Sequence, residues 1–168
     1  MKVKVKTVKD DFYKLEKRME SIDGKSVDVG VMAAGEMGWL AAIHEYGCKI
    51  KVTEKMRAYL LGQGLYIKPT TKEIVIPERS FLRAGFDKYH QGVINKSRKD
   101  LGAVIHDEMT EDQYFKAVGM LLRDKIKLYA RQLKKPPNHP FTIKQKGSSN
   151  PLVDTGHMIN HISYKVNR

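Results

Sequence analysis

Three small constellations in this chain have residue types that could do chemistry. His44 and Glu45 stand side by side, His157 and His161 lie four apart, and Asp154-Thr155-Gly156 has the local form of an aspartic-protease triplet. Acid–base work by His44 and Glu45 would need both side chains at one substrate. Adjacent helical residues point in different directions, and no second carboxylate or histidine follows at i+3 or i+4. The two later histidines could meet on one helical face as metal ligands do, but no glutamate lies between them and a third ligand would have to come from elsewhere. They are expected to be surface or interface residues. The aspartate triplet occurs once, whereas that chemistry needs two carboxylates sharing a proton in a duplicated or dimeric β fold.

Cys48 is the single cysteine, which excludes an internal disulfide and a cysteine-based zinc cage. Glycine-rich phosphate loops, nucleophile elbows, kinase-like sets and internal repeats are absent from the sequence. The expectation is a non-enzymatic protein with no catalytic residue, cofactor or metal.

Charge then carries more information than chemistry. The 168 residues hold 41% hydrophobic and 30% charged side chains with a net charge of +12, so an excess of basic groups must face solvent, an acidic partner or nucleic acid. Arg123, Lys127, Arg131 and Lys134 are spaced three or four apart and form one basic stripe on a helix. It reads either as a solvated face or as a DNA-facing stripe that would bind without sequence preference and with strong salt dependence. Aromatic residues do not interleave with it, which disfavours a single-strand stacking platform. No apolar run approaches the roughly 20 residues of a membrane span. Met1 to Lys6 alternates where a signal peptide would be continuously apolar, so a cytoplasmic protein without a membrane anchor is expected.

The elements that must position these residues follow from periodicity. Val3, Val5 and Thr7 read as an exposed-edge strand. Asp10 or Asp11 caps a helix with Phe12, Leu15, Met19 and Ile22 on its apolar face, and Val27, Val29 and Val31 alternate as a half-buried strand. A short helix over 37–46 should pack Trp39, Ile43 and Tyr46 on the sheet and stop at Gly47. Another spans 53–61 with Met56 and Leu60 inward. Leu65 to Ile67 and Ile74 to Ile76 bracket a polar linker, which predicts a projecting hairpin arm over 65–76. One long or kinked helix follows from Leu82 to Ile105. Thr110 and Gln113 make a capping box for the next, whose apolar positions run from Phe115 to Leu133 until Pro136-Pro137 stops it. Residues 144–151 are a flexible loop by composition. Asp154 or Thr155 would cap a short helix, and Ile162, Tyr164 and Val166 alternate as a last strand.

The chain is organised around Ile74 to Arg83, where a β-branched run breaks at Pro77 and hands over to a helix. Pro77 and Phe81 are expected to fix this elbow, while Arg79 and Arg83 suit a neighbouring subunit or acidic partner.

Read in order, four stretches resemble the neck and tail-completion proteins of tailed bacteriophages, a tail-component or virion-morphogenesis family of head–tail connectors. They are Val27 to Val31, Ala42 to Gly47, Ile76 to Arg83, and Leu152 to Met158, with Thr53 to Leu61 resembling the family's short helix between them. Ser80 stands where the family often has a second proline, and His161 where it often has serine. The resemblance implies a single α+β domain over 1–168, with a small mixed or antiparallel sheet flanked by helices. It also implies a structural virion protein, made in the host cytoplasm, that forms a homo-oligomeric and commonly hexameric ring at the head–tail junction. Its partners would be head-connector and tail-terminator or tail-tube proteins, with possible non-specific contact with packaged DNA. Candidate subunit-interface residues are Arg79, Phe81, Arg83, Lys68, Lys72 and Asp154. The alternative is a DNA-binding or nuclease-like protein using its basic surface.

Overall fold

Alternating valines find their partner at the far end of the chain. In the computed structural model, which describes residues 9–32 and 35–167, strand β1 (Ser26–Val31) pairs antiparallel with β4 (Ile162–Asn167), placing Val29 opposite Tyr164. Helix α5 (Glu111–Gln132) packs across this ribbon and α4 (Phe81–Ile105) packs along α5. The remaining elements are α1 (Lys9–Ile22), α2 (Glu36–Tyr46), β2 (Cys48–Lys51), α3 (Glu54–Gly62), β3 (Glu73–Ile76), α6 (Pro140–Lys146) and α7 (His157–Asn160). The fold is α+β, as expected, but the strands among the described residues form two separate two-stranded antiparallel sheets, β1 with β4 and β2 with β3. No described helix is long and apolar enough to cross a membrane.

The core joins Ala41 of α2, Phe81 at the start of α4, Ile126 and Ala130 of α5, and Leu152, Met158, Ile159 and Ile162 from the last segment. Close backbone approach makes this packing possible. A Cβ on Gly119 of α5 would sit 2.4 Å from Cδ2 of Tyr164, and one on Gly85 of α4 would touch Tyr129 and Ile126 at 3.4 and 3.5 Å. Long helices start where their caps stand. Thr110 accepts from the Gln113 amide at 3.2 Å while the Gln113 side chain accepts from the Thr110 amide at 3.0 Å, the reciprocal box read from sequence.

Several expectations need correction. The strand expected at Val3 to Thr7 lies outside the described residues. Helix α1 starts at Lys9, so Asp10 and Asp11 fall in its first turn rather than before it. Its apolar face is only partly covered, with Phe12 70% exposed and Met19 47%. On α2 the buried residues are Ala41, Ile43 and Glu45, whereas Trp39 and Tyr46 face solvent.

The arm is built differently too. β3 pairs with β2, Cys48 opposite Ile76, and not with 65–67. Arg57 holds the intervening turn, its guanidinium donating to the carbonyls of Ile67 (3.3 Å), Lys68 (2.6 Å), Pro69 (3.2 Å) and Thr71 (2.6 Å). The arm therefore covers 48–76 as strand, helix and strand. The segment read as a flexible loop over 144–151 is fastened instead. Lys146 donates to the carbonyls of Asn150 (2.6 Å) and Val153 (3.0 Å), the Asn150 side chain bonds the Leu152 amide and the Arg131 carbonyl, and Pro151 is buried.

Gly119→Ala tests the helix-on-ribbon contact. A tyrosine ring cannot slide aside as a flexible chain end does, so overpacking of about 2 kcal/mol is expected. Thermal unfolding should show the loss as a fall in Tm of several degrees, whereas Gly92→Ala, with open space around the added carbon, should not lower it.

Candidate functional site

Two of the sequence stretches singled out above meet face to face at the elbow. Gly47 ends α2 with φ +71°, and a Cβ there would lie 2.8 Å from the Glu78 amide nitrogen and 2.9 Å from the Ile76 carbonyl. Only glycine fits that approach. The contact delivers Glu45, 3% exposed, to the first turn of α4. Its carboxylate accepts from the amides of Leu82 (2.8 Å) and Arg83 (3.1 Å), from Ser80 Oγ (3.1 Å) and from Arg83 Nε (2.9 Å). Ser80 does not cap the helix with its own side chain. A carboxylate from another helix does that work, satisfying free amides where the helix dipole is positive.

Arg79 occupies the other side of the elbow. It is 4% exposed, and its guanidinium donates to the Pro136 carbonyl (2.9 Å), the Pro137 carbonyl (3.1 Å) and Asn138 Oδ1 (2.9 Å). Its Nη1 lies 3.4 Å from His44 Nδ1, which makes that ring nitrogen the acceptor, and its backbone amide donates to the His44 carbonyl at 2.7 Å. A planar fork with several donors suits a cluster of carbonyls as a lysine could not. Burial pushes the guanidinium below its ordinary value. His44 is lowered to about 4, first by burial and then by Arg79 and Lys146. The neighbouring pair His44–Glu45 is therefore a divided structural unit, its imidazole turned to Arg79 and its carboxylate to α4.

The candidate interface residues separate accordingly. Arg79 and Phe81, the latter 0% exposed, are internal supports and offer no contact surface, a correction that follows from burial of a side chain with satisfied donors. Arg83 is half exposed, bonded to Glu45 and Glu78 (2.8 Å), and lies 4.8 Å over the Tyr46 ring. Its proton is held more tightly than usual, above all by the hydrogen bond to Glu45. Lys68 and Lys72 are exposed on the arm, and Asp154 is exposed on a cleft of about 310 Å³ that also takes in His44, Asn138 and Lys146. His157 and His161 are joined through the His157 carbonyl at 2.8 Å. Among the described residues no group of three or more His, Cys, Asp or Glu could hold a metal ion.

The basic stripe is less free than its spacing suggests. Arg123 pairs with Asp124 at 2.8 Å and lies 5.7 Å over Tyr164, and Lys127 donates to the Asn160 carbonyl at 3.2 Å. Burial, then Arg123, lowers the Lys127 amine, with Arg131 adding to it, so these three cations feel one another. Arg131 and Lys134 are exposed. Sequence reasoning missed Glu45, Arg57 and Lys146 as organisers. The one available signal was an ionisable residue beside apolar helix positions in Ala41 to Tyr46.

Glu45→Ala strips the acceptor from the α4 cap and should cost about 3 kcal/mol in urea unfolding, at roughly 1 kcal/mol for each orphaned amide or hydroxyl. Arg79→Lys should fail to restore what Arg79→Ala loses, because one ammonium cannot span the same acceptors. His44 adds a pH dependence. An unfolded imidazole titrates near 6.5 and the folded one near 4, so between those values the unfolded state binds more protons and stability falls as pH drops. Urea unfolding at pH 7 and pH 4.5 should show wild type losing about 2 kcal/mol more than His44→Gln.

Comparison with known proteins finds no family model, no curated protein and no solved structure that matches the chain.

Proposed function

We propose that this chain is a structural, non-enzymatic subunit that assembles into a homo-oligomeric ring through its β2–α3–β3 arm. The role is that of a neck or tail-completion protein, joining a tailed phage's head connector to its tail. The arm is the observation that carries this reading. Its helix α3 has no buried residue, no described element of the body packs extensively on it, and the arm exposes Tyr59 (66%), Leu61 (59%), Tyr66 (67%) and Val75 (59%). Large apolar side chains gathered on a segment outside the core mark a contact surface. The root of the arm is stiff, since Gly47 and Glu78 touch there and Glu45 and Arg79 clamp the elbow into the body. A stiff root holds the arm in one direction, so a neighbouring copy meets it without a large ordering cost.

The ordered resemblance of the four stretches supplies the phage context, and Lys68 and Lys72 add charge at the arm's tip. The competing reading, a DNA-binding or nuclease-like protein, draws on the net charge of +12. Divalent-metal-dependent cleavage of DNA by the purified chain would favour it.

Size-exclusion chromatography with light scattering separates the possibilities. The isolated chain should run as a monomer or weak associate and form a ring on the head connector, and Tyr59→Ser with Tyr66→Ser should abolish the ring while far-ultraviolet circular dichroism stays unchanged. A stable dimer under both conditions would sink the ring model. Deleting the gene in its phage or prophage should leave unjoined heads and tails, and normal particles would reject the proposal.

A further inference from the structure

The two long helices border a concave strip that the sequence stripe meets only at Lys134. One cleft of about 360 Å³ includes Lys88, Tyr89 and Lys125, and a second of about 360 Å³ includes Lys88, Tyr129, Lys134 and Lys135. Lys88 borders both, so the two clefts adjoin at that residue, and together they are called the α4–α5 groove. Tyrosine rings make its floor. The Lys88 ammonium lies 5.2 Å from the Tyr89 centroid and 5.6 Å from that of Tyr129, and Lys125 lies 5.6 Å from Tyr89. Gly92 opens the groove further, because nothing stands within 4 Å of where its side chain would begin.

The lining sets this place apart, since Lys88, Lys96, Lys125, Lys134 and Lys135 border the two clefts and no aspartate or glutamate does. Arg18, Lys25, Arg57, Arg83, Lys116 and Arg123 each have a carboxylate partner elsewhere on the surface. In the groove only Lys96 has one, Asp100 at 2.6 Å. Among the described residues Lys88, Lys125, Lys134 and Lys135 form no ion pair. Like charges are drawn together around two aromatic rings with nothing of opposite sign between them, an arrangement that a polyanion relieves.

We propose that the α4–α5 groove binds the phosphodiester backbone of duplex DNA through Lys88, Lys125, Lys134 and Lys135, with Tyr89 and Tyr129 as its floor. Lysine is a compact point charge, suited to phosphates along a strand rather than to paired recognition of a base edge. From Lys125 to the end of α5 is about 10 Å, which matches about three phosphates of one strand. Single strands bind such surfaces by stacking bases on open rings. Here the ammonium groups already cover the ring faces, so the backbone is the part of the nucleic acid that fits. The site lies across α5 from Arg123 and Lys127, and it stands independently of the ring assembly.

Fluorescence anisotropy with a labelled 20-base-pair duplex, titrated between 50 and 200 mM salt, tests the groove on the full chain. Replacing Lys88, Lys125, Lys134 and Lys135 together by glutamine should weaken binding by about tenfold or more at the lowest salt. It should also flatten the slope of log affinity against log salt by about 3 to 4. Replacing Arg123, Lys127 and Arg131 by glutamine should change that slope by less than half as much, and arginine at the four groove positions should retain binding. Acetylation of the unaltered protein with and without duplex gives a readout that needs no variant, with protection expected at the four groove lysines. Unchanged binding by the groove variant, a larger loss from the Arg123 set, absence of protection at the groove, or tighter binding of the single strand than of the duplex would each overturn the assignment.

Discussion

A carboxylate buried at the start of a helix is the constraint on which this structure turns. Glu45 would be costly inside a protein unless its oxygens were fully used, and the free amides of Leu82 and Arg83 use them. The same contact fixes where α2 ends and where α4 begins, and it does so through a glycine that alone allows the two backbones to touch. Arg79 completes the joint from the opposite side by gathering the carbonyls that follow α5. Three segments distant in sequence are thereby locked at one point, and a 25-residue helix leaves it in a defined direction.

From that joint the molecule divides into a packed body and an arm. The body holds α4 on α5 by close approach at Gly85 and α5 on the β1–β4 ribbon by close approach at Gly119, and small residues matter there because the packing is dense. The arm has no comparable core. It is organised by hydrogen bonds, above all by Arg57 reaching across the 67–71 turn, and its large side chains remain in water.

Electrostatics follows a similar division. Arginines tend to be spent within the structure: Arg79 on carbonyls, Arg83 and Arg123 on carboxylates. Among the described residues, Lys88, Lys125, Lys134 and Lys135 of the α4–α5 groove form no ion pair, and only Lys96 there has one. A net charge of +12 therefore does not spread evenly, and the cations that look most regular along α5 are partly engaged while a less regular set stays available. The spacing of Arg123, Lys127 and Arg131 is a property of one helix. The groove is a property of two helices and the turn after them.

Much of the α+β architecture was legible because it depends on local periodicity: the alternating valines of β1, the capping box and long apolar run of α5, the proline that stops β3 and the last strand at Ile162. Those features need only the chain's neighbours three or four residues away. The partner of β3 was not legible, since Cys48 to Lys51 is too short to carry a pattern and the pairing joins segments more than twenty residues apart. Nor was the site. The elbow could be placed at Ile74 to Arg83 from residue types, yet whether Arg79 faced outward or inward depended on carbonyls of residues 136 and 137. By itself the sequence determined the long helices, the strands β1, β3 and β4, the elbow and the excess of positive charge. Tertiary structure decided which charges are consumed and which remain free, because burial and pairing are set by segments far apart in the chain.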